Sequence, residues 1–183
     1  MIGATPLNTG LTHADSIIRA VTAQGFREVV CFGLDSGLEG IRHASECEQI
    51  LVISPSGIKV AEYLRDTFGT PFTVGYPVIP ERVAAQASAM TGKRILIVHQ
   101  QFAANALRDR IRDCEITCGT WFMHDPRFGA GSDLIFRDEA AFREAVMQAD
   151  IVIADPMLRR AARGFSGAWI DFPHYAVSGS AKW

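Results

Sequence analysis

Short aliphatic and β-branched runs alternate with helical patterns from one end of this chain to the other, and that rhythm restricts the fold more than any other feature. A strand reaches a parallel neighbour only through a crossover of a dozen or more residues, so the alternation specifies parallel sheets. The expected strands are a stub at Met1-Ile2-Gly3-Ala4, then Glu28 to Gly33, Gln49 to Ser54 and Phe72 to Tyr76. A second set comprises Arg94 to His99, Ile116 to Phe122, Asp150 to Asp155 and Ala168 to Phe172. Between them Ile58, Ala61, Tyr63, Leu64 and Phe68 recur at the helical period, closed by Gly69 and Pro71. Helical patterns also cover Ala103 to Arg112 and Glu139 to Met147.

The segment Pro80 to Met90 is Ala-rich and leads through Thr91-Gly92 into a fresh strand, so the rhythm restarts there. The expected fold class is α/β, with two consecutive Rossmann-like parallel-sheet units. Residues 1–90 form the first unit with its connecting helix, and residues 91–183 form the second. No residue-level repeat relates the two. Because the chain opens inside a strand, a fragment or a shortened homologue of something longer is expected, and Val177 to Trp183 stops without a closing helix.

Composition narrows the partners. With 183 residues and 48% hydrophobic content the chain can bury a sizeable core. A net charge of -2 opposes the basic field that sustained phosphate-backbone binding requires, so no nucleic-acid partner is expected. The longest apolar runs, such as Ile95 to Val98, are far shorter than the roughly 20 residues of a membrane span, and no basic-then-apolar leader opens the chain. No membrane partner is expected, and the location expected is cytoplasmic. The four cysteines, Cys31, Cys47, Cys114 and Cys118, are scattered as free thiols are. Cys114 and Cys118 would stand about 13 Å apart along a strand, too far for a disulfide.

In open parallel sheets a ligand lies outside the carboxyl ends of the strands. The residues that follow the expected strands are small or polar. Ser54-Pro55-Ser56-Gly57 could leave helix N-terminal N–H groups open to an anion, or could be a plain helix cap. Asp35 and Asp155 could hold a ribose hydroxyl or a cation, or serve a turn or cap. His99, His124 and His174 fall at strand ends of the second unit, where imidazoles could converge on a ligand or remain structural. The candidate cofactor-binding residues are therefore Ser54, Ser56, Gly57, His99, His124 and His174. No G-x-G-x-x-G follows the first strand, and there is no P-loop and no G-x-S-x-G elbow, so dinucleotide, P-loop and serine-hydrolase chemistry find no support.

Three stretches together resemble the nitrogenase component 1-type oxidoreductases, which include the molybdenum-iron protein subunits, their cofactor-scaffold relatives and the dark-operative chlorophyll-pathway reductases. They are Ile2 to Gly10; Leu51 to Ile58 with Phe68 to Phe72 and Gly75 to Pro77; and Ala154 to Pro156 with Pro173 to Gly179. The resemblance implies Rossmann-like units around an iron-sulfur-type metallocluster or a tetrapyrrole-like ligand, an ATP-dependent reductase as partner, and homo- or hetero-oligomers. It places the cofactor His near Pro173 and His174, which makes His174 the candidate metal ligand. Ile53 and Ser54 occupy the position of the family's cluster-ligating Cys, so the cluster's Cys ligands are absent here, and the cofactor remains unknown. Two readings result: a nitrogenase component 1-like oxidoreductase subunit or fragment, or a non-catalytic binding or scaffold module of the same fold.

Overall fold

The computed structural model describes residues 1–179, so the last part of the expected unclosed tail lies outside the described residues. Two parallel sheets are present, as the alternation requires. The first pairs β1 (Ile50–Val52) with β2 (Phe72–Val74). The second has five strands: β3 (Arg94–Val98), β4 (Glu115–Thr120), β5 (Leu134–Ile135), β6 (Ile151–Ala154) and β7 (Ala168–Asp171), in the spatial order β5-β4-β3-β6-β7.

Hydrogen bonds extend the first sheet beyond its two regular strands. Ile2 forms a parallel bridge to Val52, donating to Leu51 O at 2.9 Å and accepting from Ile53 N at 3.0 Å. On its other side Met1 donates to Val30 O and accepts from Phe32 N. The lateral order is thus residues 28–33, the Met1–Ile2 stub, β1 and β2. The same order, second strand beside first and then third and fourth, recurs in β4-β3-β6-β7. The expected strand from Glu28 to Gly33 does not form a regular ladder. Only Met1 and Ile2 pair before Gly3 turns away at φ 86°, and residues 32–35 curl into a turn with Gly33 at φ 96° and Asp35 at φ 60°.

Eight α-helices connect these strands among the described residues: α1 (Pro6–Thr9), α2 (Asp15–Thr22), α3 (Leu38–Arg42), α4 (Ile58–Phe68), α5 (Glu81–Ser88), α6 (Gln101–Arg108), α7 (Glu139–Gln148) and α8 (Tyr175–Ser178). Gly69 ends α4 in the left-handed conformation at φ 76°, returning its N–H to Arg65 O. None of the helices is long and apolar enough to cross a membrane.

Successive side chains of a strand point to opposite faces, and β3 and β6 are apolar on both. Ile95, Ile97, Ile151 and Ile153 enter one core with Phe102 and Leu107 of α6, Val83 and Ala87 of α5, and Ile2, Val52 and Ile53 of the first sheet. Leu96, Val98, Val152 and Ala154 enter a second core with Phe142 and Val146 of α7. One core therefore runs through both sheets. The other seals the far face of the second sheet.

Gly119 shows how closely the edge is packed, because a Cβ there would lie 2.4 Å from Cε2 of the buried Phe136 ring. Gly119→Ala is expected to cost about 1–3 kcal/mol by overpacking, read as a lower denaturant midpoint. An unchanged midpoint would show that the Phe136 ring can move aside without loss.

Candidate functional site

Matched strand orders create matched crevices. In each unit the first strand lies between the second and the third, so connections leave it in opposite directions and a hollow opens outside the carboxyl ends. In the first unit this point lies between Ile2-Gly3 and Val52-Ile53-Ser54, and in the second between Val98-His99 and Ala154-Asp155. A cavity of about 510 Å³ touches the first at Ser54 and lies beside the second, where Gln100 and His174 line it. Its apolar wall is Leu7, Pro55, Phe122, Met123 and Ala176, and its polar groups belong to Asn8, Ser54, Ser56, Gln100 and His174. Helix α1 of the first unit packs on α8, which follows β7, beside this cavity.

The first-unit wall is a local network. The Asn8 amide nitrogen donates to Gly3 O at 3.1 Å, to Ser54 Oγ at 3.0 Å and to Ser56 Oγ at 3.4 Å. Ser54 Oγ donates to Gly3 O at 3.1 Å and stands 2.6 Å from Ser56 Oγ, which leaves Ser56 as the donor of that bond. The Ser54 hydroxyl therefore does not cap the following helix. Pro55 has no N–H, the Gly57 N–H goes to Ser54 O and the Ile58 N–H to Pro55 O, so little of the expected anion-binding helix start remains open. Gly57 is buried behind the wall, where a Cβ would meet Ile2 Cγ2 at 2.9 Å and Val52 Cγ1 at 3.0 Å. Its role is close packing.

Gln100 ties the units together across the cavity floor. Its amide nitrogen donates to Ile53 O at 2.9 Å, and its Oε1 accepts from Phe102 N at 2.9 Å as the N-cap of α6. Both groups are buried.

The second-unit wall holds two of the three histidines. His99 and His174 stack at a ring-centroid distance of 4.2 Å and 23°, and His99 also stacks on Phe172 at 4.1 Å. His99 Nε2 lies 3.1 Å from Pro173 O and donates to it, since a carbonyl can only accept. That leaves His99 Nδ1 buried as a bare acceptor with no partner among the described residues. Asp155 is fully buried and fixes the His174 backbone, with Oδ2 accepting from His174 N at 2.7 Å and Oδ1 from Met157 N at 2.9 Å. Burial holds both imidazoles neutral: His174 is pushed down to about 4, and His99 well below its ordinary value, with the His174 ring beside it adding to the effect. The Phe122 and His174 rings meet in a T-shaped contact at 5.1 Å and 81°.

His124 does not join them. It lies against Gly129, with Nε2 buried and without a hydrogen-bond partner among the described residues. Strand β4, which precedes it, lies on the opposite side of β3 from β6 and β7. Asp35, the other strand-end carboxylate, accepts from Ala14 N at 2.7 Å and pairs with His13 at 3.2 Å, so both Asp35 and Asp155 serve the backbone. Asn8 and Gln100 had no distinguishing sequence signal: one lies in a stretch that reads as a turn, the other directly after a more conspicuous histidine.

The cavity does not suit an iron-sulfur cluster, because such clusters are held chiefly by thiolates and no cysteine lines it. All four cysteines are free. Burial raises the Cys31 thiol above its ordinary value and pushes the Cys118 thiol up to about 12, so neither is a ready thiolate. Among the described residues no group of three or more His, Cys, Asp or Glu side chains could hold a metal ion.

With that geometry the chain superposes on a chain of a solved structure described as nitrogenase Cp1 at pH 6.5, with a TM-score of 0.55 and 10% sequence identity. The likeness is one of fold. It covers 96% of this chain and 52% of that one, so this chain spans about half the length of its structural neighbour. No protein-family model and no curated protein matches the sequence.

Proposed function

We propose that this chain is a small-molecule binding module of nitrogenase component 1-like fold, whose ligand sits between the two facing switch points. One observation carries this reading: the cavity at the two crevices has an apolar wall and a few convergent polar groups, the composition typical of organic-ligand sites. A tetrapyrrole-like ligand suits such walls better than a metallocluster does. The alternative, an oxidoreductase subunit fed by an ATP-dependent reductase, needs cluster donors that the cavity residues do not supply. Assembly into dimers or larger oligomers is part of the proposal, since Leu38 and Ile41 expose apolar side chains together on α3.

Titration with Nile red, an uncharged solvatochromic dye, tests the site. Saturable one-to-one binding with blue-shifted emission is expected, and Ala176→Trp, which places an indole in the cavity, should weaken it at least tenfold. Binding that is unsaturable, or indifferent to Ala176→Trp, would count against the proposal.

A further inference from the structure

The proposed cavity has an uneven set of unsatisfied groups, and that set restricts its ligand. None of the ten lining residues is Asp, Glu, Lys or Arg, and His174 is held neutral. The polar groups are largely occupied. Gln100 is bonded at both ends of its amide, and Ser54 Oγ accepts from Asn8 and Ser56 while donating to Gly3. Because Gly3 O can only accept, the amide of Asn8 must turn its nitrogen to the network. Among the described residues no group donates to its Oδ1. The neutral His174 ring adds one N–H and one lone pair, neither bonded to another of the described residues.

From this balance we infer that the ligand is uncharged where the cavity encloses it and presents an N–H or O–H donor to Asn8 Oδ1. The inference rests on the binding reading above and narrows it to a chemical class: flat, conjugated, neutral molecules with a donor on one edge. Phe122 supplies an aromatic ring to the cavity, and Leu7, Pro55 and Met123 supply further apolar contact. An enclosed anion would find the His174 imidazole N–H and no cation among the lining residues, and would carry its desolvation cost largely uncompensated. An enclosed cation would find no carboxylate.

The test uses three naphthalenes of one size at neutral pH, each titrated calorimetrically against the intact protein and against Ala176→Trp. 2-Naphthol, neutral and a donor, is expected to bind most tightly. 2-Methoxynaphthalene, which keeps the shape and lacks the donor, should bind about five- to tenfold more weakly, the worth of one hydrogen bond. 2-Naphthoate, an anion, should be weaker than 2-naphthol by more than tenfold. In Asn8→Ala the preference for 2-naphthol over 2-methoxynaphthalene should fall to within twofold, and if that variant fails to fold the comparison on the wild-type protein still decides. Equal affinity of 2-naphthoate and 2-naphthol, or of the two neutral compounds, would overturn the inference and leave the binding reading standing. If none of the three binds, or if Ala176→Trp changes nothing, the binding reading falls and the inference with it.

Discussion

Asp155→Ala is expected to lower stability by about 3 kcal/mol, on the order of 10 °C in melting temperature for a chain of this size. The carboxylate is fully buried and accepts from two backbone N–H groups, those of Met157 and His174, so its removal strands two buried donors at once. Each costs roughly 1–3 kcal/mol when left unpaired. The bond to His174 also joins the end of β6 to the segment that follows β7. Its loss should free the His174 ring from its stack on His99 and weaken Nile red binding in parallel with stability. Asp155→Asn retains one acceptor oxygen and should fall between the two. A melting temperature within about 2 °C of wild type for Asp155→Ala would show that water replaces the carboxylate and that the tether is dispensable.

Acidification should destabilise the protein across a specific window. Burial depresses His174 from its ordinary value near 6.5 to about 4, and it depresses His99 as well. The unfolded chain takes up protons on these rings below about pH 6.5 while the folded chain does not. Stability from neutral burial is therefore complete above about 6.5 and is lost as the pH falls toward 4. For His174 alone the loss by pH 5 is about 2 kcal/mol, and His99 adds to it with the same sign. Asp150, held down to about 2 by its hydrogen bonds to Arg94, titrates below this window and does not confuse it. Urea midpoints of wild type and His174→Phe at pH 7.5 and pH 5 give the comparison. The variant should lose clearly less stability between the two; identical losses would mean that the ring is solvated in the folded state.

The parts of the fold that could be read from sequence are those in which local chemistry and tertiary packing agree. The runs at Ile95 to Val98 and Ile151 to Ala154 are apolar on both faces because both cores claim them, and Gly69 ends α4 where the helical period stops. The segment from Glu28 to Gly33 has equal β character but lacks a full-length neighbour, and no local signal reveals how many residues a partner strand will offer. The site divides in the same way. The alternation sets Ser54, Ser56, His99 and His174 at strand ends, and of these Ser54, Ser56 and His174 line the cavity. Within the segment after β4 the outcome turns on single residues: Phe122 and Met123 reach the cavity, whereas His124 lies against Gly129, and no local signal separates them. Gly57 fails for another reason: a glycine that permits close packing against Ile2 has the same letter as one that opens a loop. Asn8 and Gln100 matter through bonds to Gly3, Ser54 and Ile53, distant in sequence or in type from anything their own neighbours suggest.

On the proposed reading, the fold shared with the nitrogenase Cp1 chain encloses here a cavity that takes an organic ligand and has no cysteine donors for an iron-sulfur cluster. Anaerobic reconstitution with iron and sulfide, followed by desalting and iron analysis, tests it directly. Iron well below one equivalent, with Nile red binding unchanged afterwards, is the predicted result. Near-stoichiometric iron that survives desalting, displaces the dye and disappears in His174→Ala would contradict it, and would make His174 a cluster ligand at the facing switch points.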